Sequence, residues 1–523
     1  MSDTIILSPL NSCFFEALTF SLISYFCSQM ENLQKAISGK HFAIMAEICR
    51  HHKLEAYIIG GYVRDFLLGR KSKDVDVVVI GDGIAFAQKV AEKLGKGSAA
   101  KFYGQFGTAM LKYKGIEIEF VGARKESYKL YSRKPDVQAG TLADDQNRRD
   151  FTINALAISL NNENFGQLID PFDGLSDLEH QILRTPLDPD ITYSDDPLRM
   201  MRAVRFATQL GFQIEKKSFD AIKRNRKRLK IVSAERITDE LNKILMTPKP
   251  SIGFKLLFDT GLLHEFFPQM AQLQGVETIN GKGHKDNFYH TLEVLDNLCK
   301  VSDDLFLRWS AILHDIAKPP TKRFDPQLGW TFHGHEFRGA KMVPSIFKQL
   351  KLPLGDKMKF VQKMVLLHLR PIVLAQETVT DSAVRRLLFD AGDDIDSLMQ
   401  LCDADITSKN EYKVKKYRDN FQLVRRKLKE IEAKDQVRNW QPPVDGEIIM
   451  KAFDLKPGKE VGIIKTAIRE AVLDGVIENN FEEAYVFMKE LGQKMGLSIH
   501  KEVEKAAEIK SNGPLPEIIK QKK

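Results

Sequence analysis

Asp74 and Asp76 flank Val75 at the head of the β-branched run Val75–Ile80, which reads as a strand. Alternate residues of a strand face the same side. The two carboxylates therefore project together, as ligands of one divalent-cation site must. Oxygen ligands alone, with no Cys or His in this stretch, favour Mg²⁺ over zinc. Just upstream lies Gly60-Gly61-Tyr62-Val63-Arg64-Asp65, where paired glycines would let backbone amides approach an anion. A phosphate beside a two-carboxylate metal site points to phosphoryl or nucleotidyl transfer. A D-x-D pair alone is commonly a solvated surface pair, so the weight rests on its surroundings.

A second concentration of chemistry lies further on. Six of the chain's 12 histidines fall between residues 284 and 368, among them His290, His314, His333, His335 and His368, with Asp315 and Asp405 close by in the pattern. A lone histidine is ordinarily a satisfied core or surface residue. A mixed set of imidazoles and carboxylates suits Mn²⁺, Ni²⁺, Co²⁺ or Fe²⁺.

The elements that must hold these residues are legible in outline. The segment from Met30 through Lys53 reads as helix, Tyr57–Ile59 as a short strand into the glycine turn, and Ala85–Leu94 as a helix ended by Gly95. Tyr113–Val121 alternates like a strand. Residues 124–147 are polar, hold Pro135 and Gly140, and read as a mobile loop. Asp150 precedes the apolar run FTINALAI and is placed to cap a helix there. Beyond residue 195 strand signals fade, with helix-like patterns at Arg199–Leu210, Ser218–Leu229 and Ala234–Met246. Trp440-Gln441-Pro442-Pro443 marks a linker into a small helical tail, and no internal repeat is evident.

At 523 residues the chain is too long for one core. Its net charge of +8 is modest; its basic residues cluster in KRNRKRLK (Lys223–Lys230) and in the stretch Lys413–Lys429. Such runs usually form solvated helix faces, and beside a nucleotidyl-transfer site they become candidates for RNA backbone contacts. Five scattered cysteines (13, 27, 49, 299 and 402) form no CxxC pair, which fits reduced thiols in a cytoplasm. Residues 13–27 are strongly apolar, yet too short to span a bilayer, carry Glu16, and have no Lys or Arg before Lys35. Residues 1–29 read as an extension, from a start placed too far upstream or as a helix packing on the head, and no membrane association is expected.

GGYVRD, DVD and Arg148-Arg149-Asp150-Phe151-Thr152-Ile153-Asn154-Ala155 together closely resemble the head of the class II tRNA nucleotidyltransferases, the family of CCA-adding enzymes and bacterial poly(A) polymerases. The resemblance runs on through DPFDG (170–174), Asp195-Asp196-Pro197-Leu198-Arg199 and Glu235-Arg236-Ile237, and covers roughly residues 50 to 500. Glu119 and Arg124 match the family's E-x-x-x-x-R. The resemblance implies an α+β multidomain chain: an α/β nucleotidyltransferase head with a small mixed sheet over 30–190, an all-α neck over 191–275, a metal-dependent domain over 281–410, a helical tRNA-binding body over 411–500 and a charged frayed tail over 501–523. It implies two Mg²⁺ ions held by catalytic Asp74 and Asp76, activating an RNA 3′-hydroxyl and neutralising the pyrophosphate leaving group in a two-metal nucleotidyl transfer. It places Gly60, Gly61, Arg64, Arg148, Arg149, Asp150, Asn154, Asp196, Arg199, Arg202 and Arg205 at the nucleotide. Asp196 and Arg199, read at i and i+3 of one helix, would choose the base. A carboxylate accepting from an exocyclic amine and a guanidinium donating to the ring nitrogen fit cytosine and adenine and mismatch uracil and guanine. The family usually has Glu-Asp where this chain has Asp195-Asp196.

The order His290, then His314-Asp315, then Asp405 resembles the HD phosphohydrolase superfamily, with Asp403 the rival for the last position. It implies a transition metal on these four residues, with His335 and His368 as further candidates. The usual HDIGK turn reads HDIAK. The expected partners are tRNA, ATP and CTP, in a monomer or homodimer. The rivals are a poly(A) polymerase or a CC- or A-adding enzyme of the same family, an HD phosphohydrolase whose head only binds RNA, and a non-catalytic RNA-binding scaffold.

Overall fold

The computed structural model describes residues 33–503 apart from 96–97, 104–106, 130–131, 280, 375–379, 408–410 and 436–439. The apolar extension, Cys13, Cys27 and most of the charged tail lie outside the described residues. The chain divides into two compact units, residues 1–272 with 348–352, and residues 273–347 with 353–523. Among the described residues no helix is long and apolar enough to cross a membrane.

The first unit is built on a seven-stranded mixed sheet. Its strands are β1 (Glu55–Ile59), β2 (Asp74–Ile80), β3 (Ser98–Tyr103), β4 (Thr108–Tyr113), β5 (Ile116–Gly122), β8 (Ala157–Ser159) and β9 (Leu168–Ile169), in the order β3-β4-β5-β2-β1-β8-β9. Only β2 and β5 pair in parallel; the other ladders are antiparallel. Period-two alternation decides both faces. Val75, Val77 and Val79 of β2 and Ile118 and Phe120 of β5 bury into one core, under the helices Lys40–His52 and Gly83–Leu94. Val78, on the other face of β2, packs with Tyr57, Ile59, Ala123 and Ala157. By alternation Asp74 and Asp76 stand on that second face.

Four sequence expectations change here. Residues 124–147 are not a loop. Strands β6 (Arg124–Lys129) and β7 (Ser132–Ala139) form a two-stranded antiparallel hairpin, followed by the helix Leu142–Asn147, whose capping box closes between Thr141 and Asp144. The run FTINALAI is a single 3₁₀ turn, Thr152–Asn154, capped at Phe151 rather than Asp150, and then strand β8, which pairs with β1. Tyr113–Val121 is two strands joined by a turn, with Lys114 and Gly115 both at positive φ. The helix expected from Met30 is interrupted before Lys40 by Ser38 and Gly39.

The rest of the first unit is mainly helical: Pro189–Asp195, Leu198–Leu210, Lys216–Asn225 and Ala234–Leu245, with one small parallel pair, Ile182–Leu183 on Gln213–Ile214. The second unit is helical apart from short hairpins such as Arg323–Asp325 on Gly329–Thr331. A separate tail core forms around Ile449, Phe453, Ile464, Ile468 and Met488.

Candidate functional sites

The parallel register sets Asp74 beside Glu117 and Asp76 beside Glu119. Glu119 is thus a third carboxylate on the second sheet face, next to Asp76. Burial pushes the Asp76 carboxyl above the usual carboxylate range; Arg149 opposes this, and Asp74 and Asp145 add to it. Glu119 is pushed up in the same way, by burial and then by Asp76. Neighbouring carboxylates on one face, two of them raised chiefly by burial, are oxygen donors of the kind that fits a divalent cation. Strand β1 delivers Gly60 to the same place. Gly60 has φ 84°, and a Cβ there would lie 2.7 Å from Arg149 Nη1 and 3.1 Å from Asp76 Oδ2. Only glycine fits such a turn with such neighbours. Gly61 begins the short helix Gly61–Leu67 and has room for a side chain, so the close approach belongs to Gly60 alone.

Beside this face is a cavity of about 430 Å³ lined by Arg148, Arg149, Asp150, Asp196, Arg199 and Arg202, and on its far wall by Arg236, Asp239 and Lys243 of the helix Ala234–Leu245. Asp145, fully buried, receives Arg148 and also Arg149 Nε at 3.1 Å, so one carboxylate aims both guanidinium stems. Asp150 accepts from Phe151 N and Asn154 Nδ2, both at 2.9 Å, and from Arg202 Nε at 2.7 Å. Burial opposes its ionisation, but Arg202, Asn154 and Arg199 outweigh that and hold its carboxyl down at about 2.

Three predicted nucleotide contacts lie behind the cavity wall. Buried Arg64 donates to Asn154 Oδ1 at 2.7 Å and stands over the Phe206 ring at 4.9 Å. Asn154 is thereby engaged at both ends of its amide. Arg205 pairs with Glu240 and covers the same ring at 3.9 Å. In this arrangement Arg64, Asn154 and Arg205 brace the wall, while Arg148, Arg149, Arg199 and Arg202 are among the residues that face the cavity.

The geometry expected for Asp196 and Arg199 is also corrected. Asp196 is extended (φ −126°, ψ 97°), outside both neighbouring helices, and its Oδ1 accepts from Leu198 N at 3.2 Å. Its other oxygen is 3.9 Å from Arg236. Arg199, buried in the first turn of Leu198–Leu210, donates to the carbonyls of Thr192 and Arg148. Both residues line the cavity, without sharing a helix face.

In the second unit, four helical segments bring a cluster of imidazoles together. His290 is on Asn287–Leu298, His314 caps Leu305–Leu313, His335 opens His335–Gln349 and His368 caps Asp356–Leu367. Asp405 ends Ile395–Asp405, while Asp315 sits in the turn past His314 rather than on a helix. Three Nδ1 atoms face backbone carbonyls: His314 to Ala311 at 2.8 Å, His335 to Phe332 at 2.8 Å and His368 to Val365 at 2.7 Å. His290 Nδ1 faces the Thr407 hydroxyl at 3.0 Å. A carbonyl only accepts, so in their neutral form those rings carry their proton on Nδ1 and turn the Nε2 lone pair inward; burial opposes protonation of His314, but Asp315 and Asp405 outweigh it and raise its pKa. His290 Nε2 is 2.9 Å from Asp405 Oδ1 and 3.5 Å from Asp315 Oδ2, and His314 Nε2 is 3.2 Å from the same Asp315 oxygen. His314 Nε2 is buried without a hydrogen-bond partner. Burial opposes the ionisation of Asp315 and Asp405; the surrounding imidazoles, joined at Asp315 by Lys318, hold both carboxyls low, Asp405 at about 2. His333 is exposed outside this cluster, and Asp403 pairs with Arg425 instead.

Three family models match the chain in succession: the poly A polymerase head domain over residues 56–184, the probable RNA and SrmB-binding site of polymerase A over 211–273, and the HD domain over 287–410. An A-adding tRNA nucleotidyltransferase of Deinococcus radiodurans is 31% identical over 426 residues, which is 80% of this chain and 91% of that protein. The chain belongs to the family of tRNA nucleotidyltransferases and poly(A) polymerases. It is a nucleotidyltransferase with a fused HD domain. A multifunctional CCA protein of Psychromonas ingrahamii is 32% identical over 383 residues, 70% of this chain and 87% of that one. In fold, the chain resembles the Bacillus stearothermophilus CCA-adding enzyme in complex with CTP (TM-score 0.62, 23% identity, covering 88% of this chain and 99% of that one). The family implies a divalent cation, and the face of Asp74, Asp76 and Glu119 has the donors for it.

The carboxylate Asp145 and the cavity-wall residues Asp239 and Lys243 have no role in the sequence reading, and Arg236 enters it only within the motif Glu235-Arg236-Ile237, without a site role. Asp145 carried a signal: acid followed by arginine at i+3 and i+4 in DQNRR is the spacing of helical ion pairs. On the far wall only Arg236 carries one, through its motif; Asp239 and Lys243 carry none, because the helix Ala234–Leu245 is brought there by tertiary packing.

Proposed function

We propose that the chain is a CCA-adding enzyme, extending the 3′ end of tRNA from CTP and ATP without a nucleic-acid template. The observation that carries this reading is the face of Asp74, Asp76 and Glu119 opening beside a guanidinium-lined cavity of nucleotide size. Mg²⁺ on Asp74 and Asp76, bound as an oxygen-ligated ion, would supply Lewis-acid charge to phosphate oxygens. The chain's own residues do the positioning. Arg148 and Arg149, aimed by Asp145, meet the triphosphate with planar forks. Asp150, ionised and locked to Arg202 and Asn154, fixes the wall near the sugar. Asp196 accepts from the exocyclic amine of cytosine or adenine, and Arg199 donates to the adjacent ring nitrogen. Such catalysis is mostly orientation and charge.

The RNA would lie along basic surface. The run Lys223–Lys230 is partly spent on the fold: Arg224 pairs with Asp190, and Arg226 and Lys230 with Glu265. The long helix Glu411–Asp435 presents exposed Lys415, Lys416, Arg418, Arg426 and Lys429, and is the better backbone contact. The HD domain would hold Mn²⁺, Ni²⁺, Co²⁺ or Fe²⁺ on His290, His314, Asp315 and Asp405 and hydrolyse phosphoesters. A cytoplasmic setting follows from a tRNA substrate.

The deciding experiment offers tRNA lacking its 3′ end together with each labelled nucleotide. Incorporation of CTP and ATP that stops after CCA supports the reading. ATP alone on tRNA ending in CC makes it an A-adding enzyme, as in the Deinococcus relative; unlimited ATP addition makes it a poly(A) polymerase.

A further inference from the structure

We propose that the second unit holds an effector site for a mononucleotide, beside the C-terminal end of the helix Ile395–Asp405. A cavity of about 530 Å³ opens there between three elements: the ends of Asn287–Leu298 and Ile395–Asp405, and the long helix Glu411–Asp435. That volume is in the range of small-molecule sites, about 300–1,000 Å³. Its charged lining is Lys300, Arg418 and Arg425 against the single carboxylate of Asp403. Arg418 and Arg425 are seven residues apart, two turns of one helix, so they share a face. Arg425 already holds an anion, the Asp403 carboxylate, and a guanidinium fork suits phosphate equally. The lining also has an apolar part, with Phe421 2% exposed and Ala404 6% exposed. The amides of Gln400 and Gln422 offer a donor and an acceptor each, as the edge of a base requires. Cations, a buried ring and amides in one hollow are the parts a nucleotide needs. A polymer backbone is met instead by a row of exposed cations, as at Lys415, Lys416, Arg426 and Lys429 of the same helix.

One segment serves both this cavity and the histidine cluster. Asp403, Ala404 and Ile406 line the cavity. Asp405 and Thr407, in alternation with them, hold the two ring nitrogens of His290: Nε2 is 2.9 Å from Asp405 Oδ1, and Nδ1 is 3.0 Å from the Thr407 hydroxyl. Asn297 lies two turns along the helix from His290 and donates to Ala404 O at 3.2 Å. That bond occupies a carbonyl at a helix C-terminus, whose partial negative charge opposes an anion. Lys300 reaches Asn297 Oδ1 at 3.0 Å from the same side. A phosphate bridging Lys300 and Arg425 competes with Asp403 for Arg425 and ties both helix ends to Glu411–Asp435. Occupancy of the cavity is thereby felt at His290, through the segment that holds it.

The test titrates the full chain with AMP and with ribose 5-phosphate by calorimetry, in EDTA so that no metal site takes part. Binding at the head is common to parent and variants and cancels in the comparison. One AMP per chain should be lost, or weakened by at least about tenfold, in Lys300→Glu and in Arg425→Gln. Lys300 is exposed, so Lys300→Glu reads the site even where Arg425→Gln fails to fold. Ribose 5-phosphate should bind this site at least about tenfold more weakly than AMP. Amide hydrogen exchange supplies the second readout: AMP should slow exchange in Asn287–Leu298 and Ile395–Asp405 of the parent and not of Lys300→Glu. AMP stoichiometry and affinity unchanged in both variants overturn the site. Equal binding of ribose 5-phosphate overturns the nucleotide and leaves a phosphate patch. No AMP binding, with a weaker tRNA gel shift in Arg425→Gln, gives the face to RNA and overturns the proposal. Bound AMP that leaves exchange in both helices unaltered overturns the link to His290.

Discussion

The two candidate metal regions are assembled in opposite ways. The head's carboxylates come from neighbouring positions of two paired strands, so one ladder and one period set their geometry, and Asp74 remains exposed at the end of β2. The HD cluster draws its ligands from positions spread over more than 110 residues, from His290 to Asp405, and buries nearly all of them. A site set by a ladder is held by backbone hydrogen bonds and can stay open to a polymer end. A site set by packing has its ligands fixed before any ion arrives, each ring held by its outer nitrogen. The chemistry divides along the same line: oxygen donors in the head suit Mg²⁺, and imidazoles in the cluster suit softer ions.

The comparison breaks first at its largest expected effect. Asp74→Ala or Asp76→Ala should cut nucleotide addition by about three orders of magnitude or more, since several kcal/mol of charge stabilisation would leave with the ion. Binding of tRNA, followed by gel shift, should persist. Turnover near wild type in Mg²⁺ would move the active site elsewhere.

The next test asks whether the two regions work independently. His314→Ala combined with Asp315→Ala should abolish hydrolysis of a small phosphoester and strip the bound transition metal, while tRNA extension stays largely intact. Loss of extension in a variant that circular dichroism shows to be folded would mean that the two chemistries are coupled.

Legibility followed the same division. The head was readable because its geometry is local: DVD gave the strand, the alternation gave the face, and Gly60 gave the turn. The HD cluster was readable only through the order of its residues, because no local spacing says that His290 and Asp405 meet at 2.9 Å. The misses have physical causes. The spacing of Asp196 and Arg199 suggests one helix, but Pro197 follows Asp196, and a residue before proline is pushed out of the α region; the extended backbone of Asp196 is that effect. The run FTINALAI holds Thr152, Ile153 and Ile158, and pairing with β1 drew its end into the sheet. In residues 124–147 charge hid a hairpin, since β6 and β7 pair with each other and belong to no larger sheet.

Specificity is the third test, and Asp196 is its cleanest probe. Arg199 also serves the Thr192 and Arg148 carbonyls, so Arg199→Ala mixes base reading with local collapse. Asp196→Asn removes only the charged acceptor and turns one oxygen position into a donor. Discrimination for CTP and ATP over UTP and GTP should fall by up to about 3 kcal/mol, with tRNA affinity little changed. Unaltered selectivity would remove Asp196 from base reading.

The smallest expected effect concerns what keeps the head's cavity wall in place. Asp150 is a buried carboxylate facing Arg202, Asn154 and Arg199, held at about 2 against an ordinary 3.8. Its folded-state pKa lies below its unfolded one, so its contribution to stability is fully present above about pH 4 and is lost as pH falls from there towards 2. A shift of that size corresponds to roughly 2 kcal/mol. Asp150→Asn keeps an acceptor for Phe151 and Asn154 but leaves Arg202 without its counter-charge. Urea unfolding of the parent and the variant should therefore differ by about 2 kcal/mol at pH 7, and the difference should shrink steadily below pH 4. Other carboxylates titrate over the same range, but they are common to both proteins and cancel in the difference. A gap that stayed constant down to pH 2.5 would show that Asp150 stabilises the wall through shape and neutral hydrogen bonds, not through its charge.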